Sequence, residues 1–284
     1  MIYFTDAEID QLIGEDYPYF DLTSLSVKLG SKVARISYTT KQNTVICCTE
    51  EVLKIFEKFK ITPTLFSFSG EQIEKGIKFL EGEGLAQNVH AIWQTTANLL
   101  EFASGIATRT RSLVEAANLA VEGIPVVTTR KTIPFTKKIA LKAVRIGGGH
   151  IHRLNLSDSI LIFDNHIKFL GGIEALVKKV PEIRKRAPGK KITVEVKTPR
   201  EALLLAESSI DCLQIDKVPA NELLKLVPDL KKVNPKLLVS ASGNINEENI
   251  GSYAETGIDL IITSYPYYGR PADIHVNIEP VFDL

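Results

Sequence analysis

An α/β fold built around a parallel α/β barrel, with an α+β region ahead of it, is what this chain of 284 residues predicts. Three observations carry the prediction. From about residue 124 onward, apolar β-branched runs alternate with amphipathic helical stretches, the pattern of parallel strands covered by helices. Such units recur about seven times, which favours a closed or nearly closed barrel over an open dinucleotide-binding sheet. No GxGxxG follows the first run to argue otherwise.

Taken in order, residues 5–8 (TDAE) have the spacing of a helix capping box, and Ile9, Leu12 and Ile13 follow on one helical face, so a short helix opens the chain. ARISY and TVICCTE, within residues 31–50, read as strands, and strand geometry in the second would point the adjacent Cys47 and Cys48 to opposite faces. EVLKIFEKF at 51–59 has helical periodicity. IKFLEGEGLA at 77–86 reads as a strand, because its glycines weaken a helix that its other residues would accept. Residues 95–120, rich in Ala and Leu, predict a long helix or a helix pair leading out of this region.

The barrel strands are then IPVVTT (124–129), AVRIGG (143–148), SILIF (159–163), ITVEV (192–196), CLQI (212–215), LLVSAS (237–242) and LIITS (260–264). Between most of them lie helical stretches such as GIEALVKKVPEIRKR, PREALLLAESS, ANELLKLVPDLKKV and NEENIGSYAETG.

Composition narrows the function. At 44% hydrophobic residues the chain can bury cores of domain size. Lys plus Arg, 34, equals Asp plus Glu, 34, so no global field draws it to nucleic acid or to a membrane surface, and a charged ligand has to be held locally. Three cysteines with no framework spacing fit a reducing cytoplasm, and no run of about 18 apolar residues predicts a membrane span.

Nearly every predicted strand ends in charge or hydrogen-bonding capacity. Arg130 and Lys131 come first, then His150, His152 and Arg153, then Asp164, Asn165 and His166. The later strands end in Glu195 and Lys197, Asp216 and Lys217, Ser242, Gly243 and Asn244, and Thr263 and Ser264. In a parallel barrel these ends converge on one mouth, where such folds place their chemistry. Arg130, Lys131, Arg153 and His152 make a cationic side suited to carboxylates or phosphates. Glu195 and Asp216 make an anionic side that can hold Mg²⁺ on a polyphosphate or bond sugar hydroxyls. Ser242, Gly243 and Asn244, just before a helix expected near Asn246, offer backbone N–H groups to a phosphate.

Simpler readings stand beside these. Glu195 and Asp216 can be solvated ends paired with Lys197 and Lys217, and SGN can be a plain turn. The helical Arg184, Lys185 and Arg186 are a solvated face. The stretch GGGHIHR at 147–153 allows a phosphate cradle, a His-x-His metal site or a tight turn presenting cations. A Schiff-base role for Lys197 or Lys217 rests on position alone.

The motifs TRKTIP (129–134), GGGHIHR (147–153), LIFDNH (161–166), VEV (194–196), SASG (240–243) and YAETGID (253–259) resemble, in order and spacing, those of quinolinate phosphoribosyltransferases. SGIAT (104–108) and EDYPYFDLT (15–23) belong to the same pattern, so the resemblance covers nearly the whole chain. The wording of HRLNLSDSILIF is similar to a branch associated with molybdenum transport. The resemblance implies a type II phosphoribosyltransferase: an N-terminal α/β sandwich over residues 1–105, joined by a C-terminal return at 272–284, and an incomplete TIM-like α/β barrel over 106–271. It also implies a homodimer, or a higher assembly of dimers, in which the neighbouring subunit completes each site. By resemblance, Arg130, His152 and Arg153 bind acceptor carboxylates. Lys131, Glu195 and Asp216 contact phosphoribosyl pyrophosphate and its Mg²⁺, and Ser242, Gly243, Asn244 and Ser264 take the phosphate.

Two departures from that pattern bear on the acceptor. The family has an arginine where WQTTANLL carries Gln94, and a lysine where LIFDNH carries Phe163. Both missing cations would help neutralise the dicarboxylate of quinolinate, and each charge-assisted bond contributes roughly 1.5 to 3 kcal/mol. Phe163 supplies an apolar or stacking wall in their place. The expected activity is therefore pentosyl transfer to a nitrogen heterocycle other than quinolinate, with the donor half retained. An inactive binding protein that senses a small anion on the same fold is the alternative. Near the last strand TSYPYYGRPAD replaces a glycine and histidine pattern, which weakens the expected phosphate contacts there.

Overall fold

The computed structural model describes residues 2–282. In chain order, the first elements are α1 (Asp6–Gly14), α2 (Leu22–Ser26), β1 (Val33–Thr40), β2 (Thr44–Val45), α3 (Thr49–Lys58), β3 (Thr62–Phe66), β4 (Gln72–Ile73), β5 (Lys78–Leu85) and α4 (Ala86–Ala120). There follow β6 (Val126–Thr128), α5 (Lys137–Ile146), β7 (His150–Ile151), β8 (Ile160–Ile162), α6 (Asp164–Leu170), α7 (Ile173–Arg186), β9 (Ile192–Val196) and α8 (Pro199–Ala206). The last are β10 (Cys212–Asp216), α9 (Ala220–Val233), β11 (Leu238–Ser242), α10 (Ile250–Ala254), β12 (Leu260–Thr263) and β13 (Ile274–Pro280).

The chain divides into two compact units. The first comprises the chain up to Arg111, Ile133–Gly148 and the chain from Pro266; the second comprises Ser112–Thr132 and Gly149–Tyr265. Asp283 and Leu284, at the end of the expected C-terminal return, lie outside the described residues.

The first unit holds a four-stranded antiparallel sheet in the order β13-β1-β5-β3. Thr5 caps α1 with both bonds of the capping box. The glycines that made residues 77–86 hard to read are explained by packing: a Cβ on Gly82 would stand 2.7 Å from the Phe56 ring of α3. A strand with a helix ring pressed against it needs that space. Two expectations are corrected here. Cys47 and Cys48 do not lie in a strand, since β2 stops at Val45 and Cys48 turns left-handed (φ 71°) to start α3, so both thiols are buried and their sulfurs lie 3.8 Å apart. AVRIGG is not a strand either. Its first four residues end α5, whose Ala140, Leu141, Ala143 and Val144 are buried, and Gly148 (φ 90°) breaks the helix. A short β-branched run cannot by itself distinguish strand from helix. Residues 95–120 belong to one continuous helix, α4, of 35 residues.

The second unit is an incomplete barrel. Its seven strands run in the order β7-β6-β12-β11-β10-β9-β8, with every pairing parallel, and β7 and β8 stand at the two ends. The strand that AVRIGG was expected to supply is the two-residue β7, and 152–159 links it to β8 without a helix. One face of the sheet is apolar: Val194, Val196, Leu213, Ile215, Val239, Ala241 and Ile261 form a core with Leu176 and Val180 of α7, Leu205 of α8, Leu223 and Leu230 of α9 and Leu113 of α4. The other face is polar in its central strands, carrying Thr193, Glu195, Cys212, Gln214, Asp216, Ser240 and Ser242. That alternation departs from the continuous apolar strands of a sheet buried equally on both faces.

Candidate active site

All the candidate residues except Gln94 belong to the second unit, at or just beyond the carboxyl ends of its parallel strands. Gln94 lies on α4 in the first unit, exposed, and its amide nitrogen donates to Asn98 at 2.9 Å.

The cationic side is held by backbone. His152 follows β7 and its N–H donates to the Thr128 carbonyl of β6 at 3.1 Å. Arg153 is 7% exposed and donates through Nη1 to the Ser159 carbonyl at 3.1 Å. Burial, then Arg153, then Arg130 push the His152 ring below its ordinary pKa of 6.5, outweighing Asp158. Burial and Arg130 likewise lower Arg153. Two guanidiniums beside an imidazole, with His152 and Arg153 both resisting charge, make a place for an anion. Arg130, Arg153, Ser159, Leu161, Phe163 and His166, with Leu156 and Ile160, line a pocket of about 350 Å³. Phe163 forms an apolar part of that wall; its backbone N–H donates to His166 Nδ1 at 3.3 Å and its ring meets the His166 ring edge-on at 4.4 Å.

The anionic side rests on β9, β10 and β11. Glu195 stands opposite Gln214, and Asp216 opposite Ser242. The Gln214 amide nitrogen donates to Glu195 Oε2 at 2.8 Å and to Ser242 Oγ at 3.1 Å, and Ser242 donates to Asp216 Oδ1 at 2.8 Å. Burial and then the neighbouring Asp216 raise the Glu195 carboxyl above its ordinary value, against Lys197, Lys131 and Lys217. The three lysines act on Glu195 through space, while the bonds to the two carboxylates come from Gln214 and Ser242.

The turn after β11 is tightly specified. Gly243 has φ 94°, and a Cβ there would fall 2.5 Å from Lys217 Cγ and 2.9 Å from Asp216 Oδ1. Lys217 (φ 60°) and Asn244 (φ 56°) are both left-handed, and the Lys217 N–H donates to the Ser242 carbonyl at 2.7 Å. Non-glycine residues in that region are uncommon and gather at ligand sites. The helix expected near Asn246 is corrected: α10 begins at Ile250 and has five residues. Side chains take its place, with Asn246 Oδ1 accepting from Glu248 N–H at 2.9 Å and Asn249 Oδ1 from Asn246 N–H at 2.9 Å. Thr129 and Ser264 join the ends of β6 and β12 through their hydroxyls at 2.7 Å, and Thr129 Oγ1 accepts from the Lys131 N–H at 3.2 Å.

Among the described residues, no three His, Cys, Asp or Glu side chains converge as a ready-made metal cluster, so His150 and His152 are not joined by a third ligand of that kind. Glu195 and Asp216 nevertheless fit a magnesium ion that brings its own phosphate oxygens: the donors are all oxygen, and their mutual repulsion would be relieved by a divalent cation. Among the described residues, no helix is long and apolar enough to cross a membrane. Sequence reasoning missed Gln214, which sits within the run CLQI and carries no charge to draw notice, and Thr129, whose hydroxyl ties two strand ends.

Comparison with known proteins matches two family patterns. Residues 106–277 match the quinolinate phosphoribosyl transferase C-terminal domain, and residues 21–104 match the N-terminal domain of the same family. The chain is 34% identical over 279 residues to a protein of Pasteurella multocida named "Putative pyrophosphorylase ModD", covering 98% of this chain and 99% of that one. Among solved structures, nicotinate-nucleotide pyrophosphorylase from Ehrlichia chaffeensis is 28% identical with a TM-score of 0.88, covering 98% of this chain and all of the other. NadC from Streptococcus pyogenes is 25% identical with a TM-score of 0.89 over 99% of this chain and 100% of that one.

Proposed function

Because the chain belongs to the quinolinate phosphoribosyl transferase family, we propose that it transfers a phosphoribosyl group from phosphoribosyl pyrophosphate to a ring nitrogen of a small heterocycle. The observation that carries the reading is the pair Glu195 and Asp216 on adjacent strands, braced side by side and flanked by Lys131, Lys197 and Lys217. Carboxylates beside lysines suit a ligand that is part sugar and part polyphosphate.

In the reaction, the bond between the ribosyl C1 and pyrophosphate breaks with its electron pair leaving on pyrophosphate, and the lone pair of the ring nitrogen forms the new bond to C1. Magnesium, bound with the donor at Glu195 and Asp216, would supply charge stabilisation for the departing pyrophosphate. Lys131 stabilises the same developing negative charge. Glu195 and Asp216 face the positive character that C1 acquires, so electrostatics and alignment supply the acceleration and no protein nucleophile is needed. Ser242, Gly243, Asn244 and Ser264 hold the ribose phosphate.

Arg130, His152 and Arg153 take an anionic group of the acceptor, and the acceptor ring lies against Phe163. With Phe163 in place of a lysine, and a neighbouring subunit bringing Gln94 in place of an arginine, the site suits an acceptor less anionic than quinolinate. A homodimer whose partner completes the site, and a reducing cytoplasm for its three unbridged cysteines, belong to the same reading.

The test is to incubate the protein with Mg²⁺ and phosphoribosyl pyrophosphate against a panel of pyridine monocarboxylates, dicarboxylates, carboxamides and other nitrogen heterocycles, and to measure pyrophosphate release. Release with a monoanionic or neutral heterocycle above that with quinolinate is expected. Silence across the panel, together with no donor binding in calorimetry, would overturn the reading and favour a small-anion binding protein.

A further inference from the structure

Gln214 is 6% exposed in the middle of β10. Its hydrogen bonds have a direction that chemistry fixes. Ionised Glu195 can only accept, so the amide nitrogen and not the oxygen faces it at 2.8 Å. Ser242 has one proton, which goes to Asp216, so its lone pair receives the same amide nitrogen at 3.1 Å. Both N–H groups of the amide are thereby engaged, and the chain Glu195–Gln214–Ser242–Asp216 spans three strands. The other end of the amide is different: the Gln214 carbonyl oxygen is buried and accepts from nothing among the described residues. Buried carbonyls are normally paired, and exceptions concentrate where a ligand completes the set.

We propose that Gln214 is a ligand-binding residue, whose N–H groups brace Glu195 and Ser242 and whose carbonyl oxygen accepts a hydrogen bond from a hydroxyl of a bound pentose phosphate. The neighbours decide the class of ligand. Glu195, Asp216 and the Gln214 carbonyl oxygen are all acceptors, so this part of the polar face disfavours phosphate and carboxylate and calls for donors. The hydroxyls of a pentose supply them, while the ribose phosphate has its own place in the turn at Ser242, Gly243 and Asn244. An apolar side chain at 214 would leave no buried carbonyl to satisfy, but it would also leave Glu195 and Ser242 without the donor that aligns them. The inference rests on the pentosyl-transfer reading and adds to it a residue that selects for the sugar.

The test is calorimetric titration of the full chain with ribose 5-phosphate, 2-deoxyribose 5-phosphate and 3-deoxyribose 5-phosphate, using wild type, Gln214→Met and Gln214→Glu, with far-ultraviolet circular dichroism to confirm folding. Wild type is expected to bind ribose 5-phosphate about tenfold more tightly than one of the deoxy sugars, the scale of one hydrogen bond. Gln214→Met should lose that preference. Gln214→Glu keeps an acceptor oxygen but sets a second carboxylate oxygen where the N–H groups met Glu195 and Ser242, so it should weaken binding of all three sugar phosphates, and the wild-type preference stands as a test even if neither variant folds. An unchanged preference in Gln214→Met, or an unchanged affinity for ribose 5-phosphate in a folded Gln214→Glu, overturns the proposal. So does a variant that alters binding of Mg²⁺ alone and leaves the sugar preference intact, because the oxygen would then serve the metal. If wild type binds phosphoribosyl pyrophosphate but shows no hydroxyl preference, only this inference falls. If it binds neither sugar phosphate, the reading of the whole site falls with it.

Discussion

Glu195 is harder to ionise than an ordinary carboxyl because it is half-buried and because Asp216 is close by. Folded Glu195 therefore holds its proton more tightly than unfolded Glu195, and folding takes up a proton between the ordinary value of 4.5 and the raised one. Stability is lost as pH rises through that window. Glu195→Gln should consequently melt at a higher temperature than wild type at pH 7, with the difference fading below pH 4.5, while pyrophosphate release falls on the order of a hundredfold. Differential scanning calorimetry across pH and single-turnover kinetics measure the two halves, and unchanged single-turnover chemistry would remove Glu195 from the reacting centre. His152 has the opposite sense. Its pKa is lowered by burial and by Arg153 and Arg130, so it is neutral at pH 7, and an anion seated among these cations should restore its proton. Binding of a pyridine carboxylate is expected to take up a fraction of a proton at pH 6.5, seen as a heat that varies with the buffer's ionisation enthalpy. No such dependence would place the anion elsewhere.

At the scale of elements, the strand ends matter more than the strands. Gly243 could not carry a side chain without displacing Asp216 or Lys217, and its φ of 94° disfavours any other residue. Gly243→Ala should destabilise the protein by about 1–3 kcal/mol and weaken ribose 5-phosphate binding more than the loss of stability explains, as titrations well below the melting temperature would show. In the first unit, Lys142 on α5 is 3% exposed and bonds both Glu51, itself buried, and Glu50 of α3. Removing one partner strands the others, so Lys142→Met should lose about 3–5 kcal/mol in denaturant unfolding at pH 7. What could be read from the sequence divides along the same line. The runs ITVEV, CLQI, LLVSAS and LIITS became strands because each is a short apolar run set between amphipathic helical stretches, the alternation of parallel strand and covering helix. AVRIGG became the end of a helix because its periodicity begins six residues earlier, at Lys137, where three nearby lysines hide the apolar face. The later start of the helix expected near Asn246, at Ile250, turned on asparagine side chains that bond the backbone locally, an outcome spacing alone does not decide.

Over the whole molecule, the existence of two cores was legible, since the change from mixed to regular alternation at about residue 124 reflects two different ways of burying apolar area. Charged candidates at the strand ends were legible too, because parallel strands necessarily bring their carboxyl ends to one side. Gln214 and Thr129 were not: a neutral polar residue inside an apolar run looks like a solvent-facing position until the neighbouring strands show that it is buried. Zero net charge leads to one further expectation. In the proposed reading, attraction for an anion comes from Arg130, His152 and Arg153 and not from a global field, so carboxylate binding should weaken only a few-fold between 0.05 and 0.5 M salt, where screening acts mainly between exposed charges. A steeper loss, measured by titration in potassium chloride, would mean that exposed lysines do the binding.

The barrel's incompleteness has a consequence for how the chain behaves in crowded solution. A closed barrel has no terminal strand, whereas a seven-stranded arc has two, and terminal strands can recruit strands from other molecules. Here the terminal strands are β7, two residues long, and β8, three residues long. Neither offers enough backbone to template a foreign strand, which is one of the ways natural sheets guard against sticking to one another. The arc can therefore remain open without inviting fibrils, and lengthening either terminal strand by design would remove that protection.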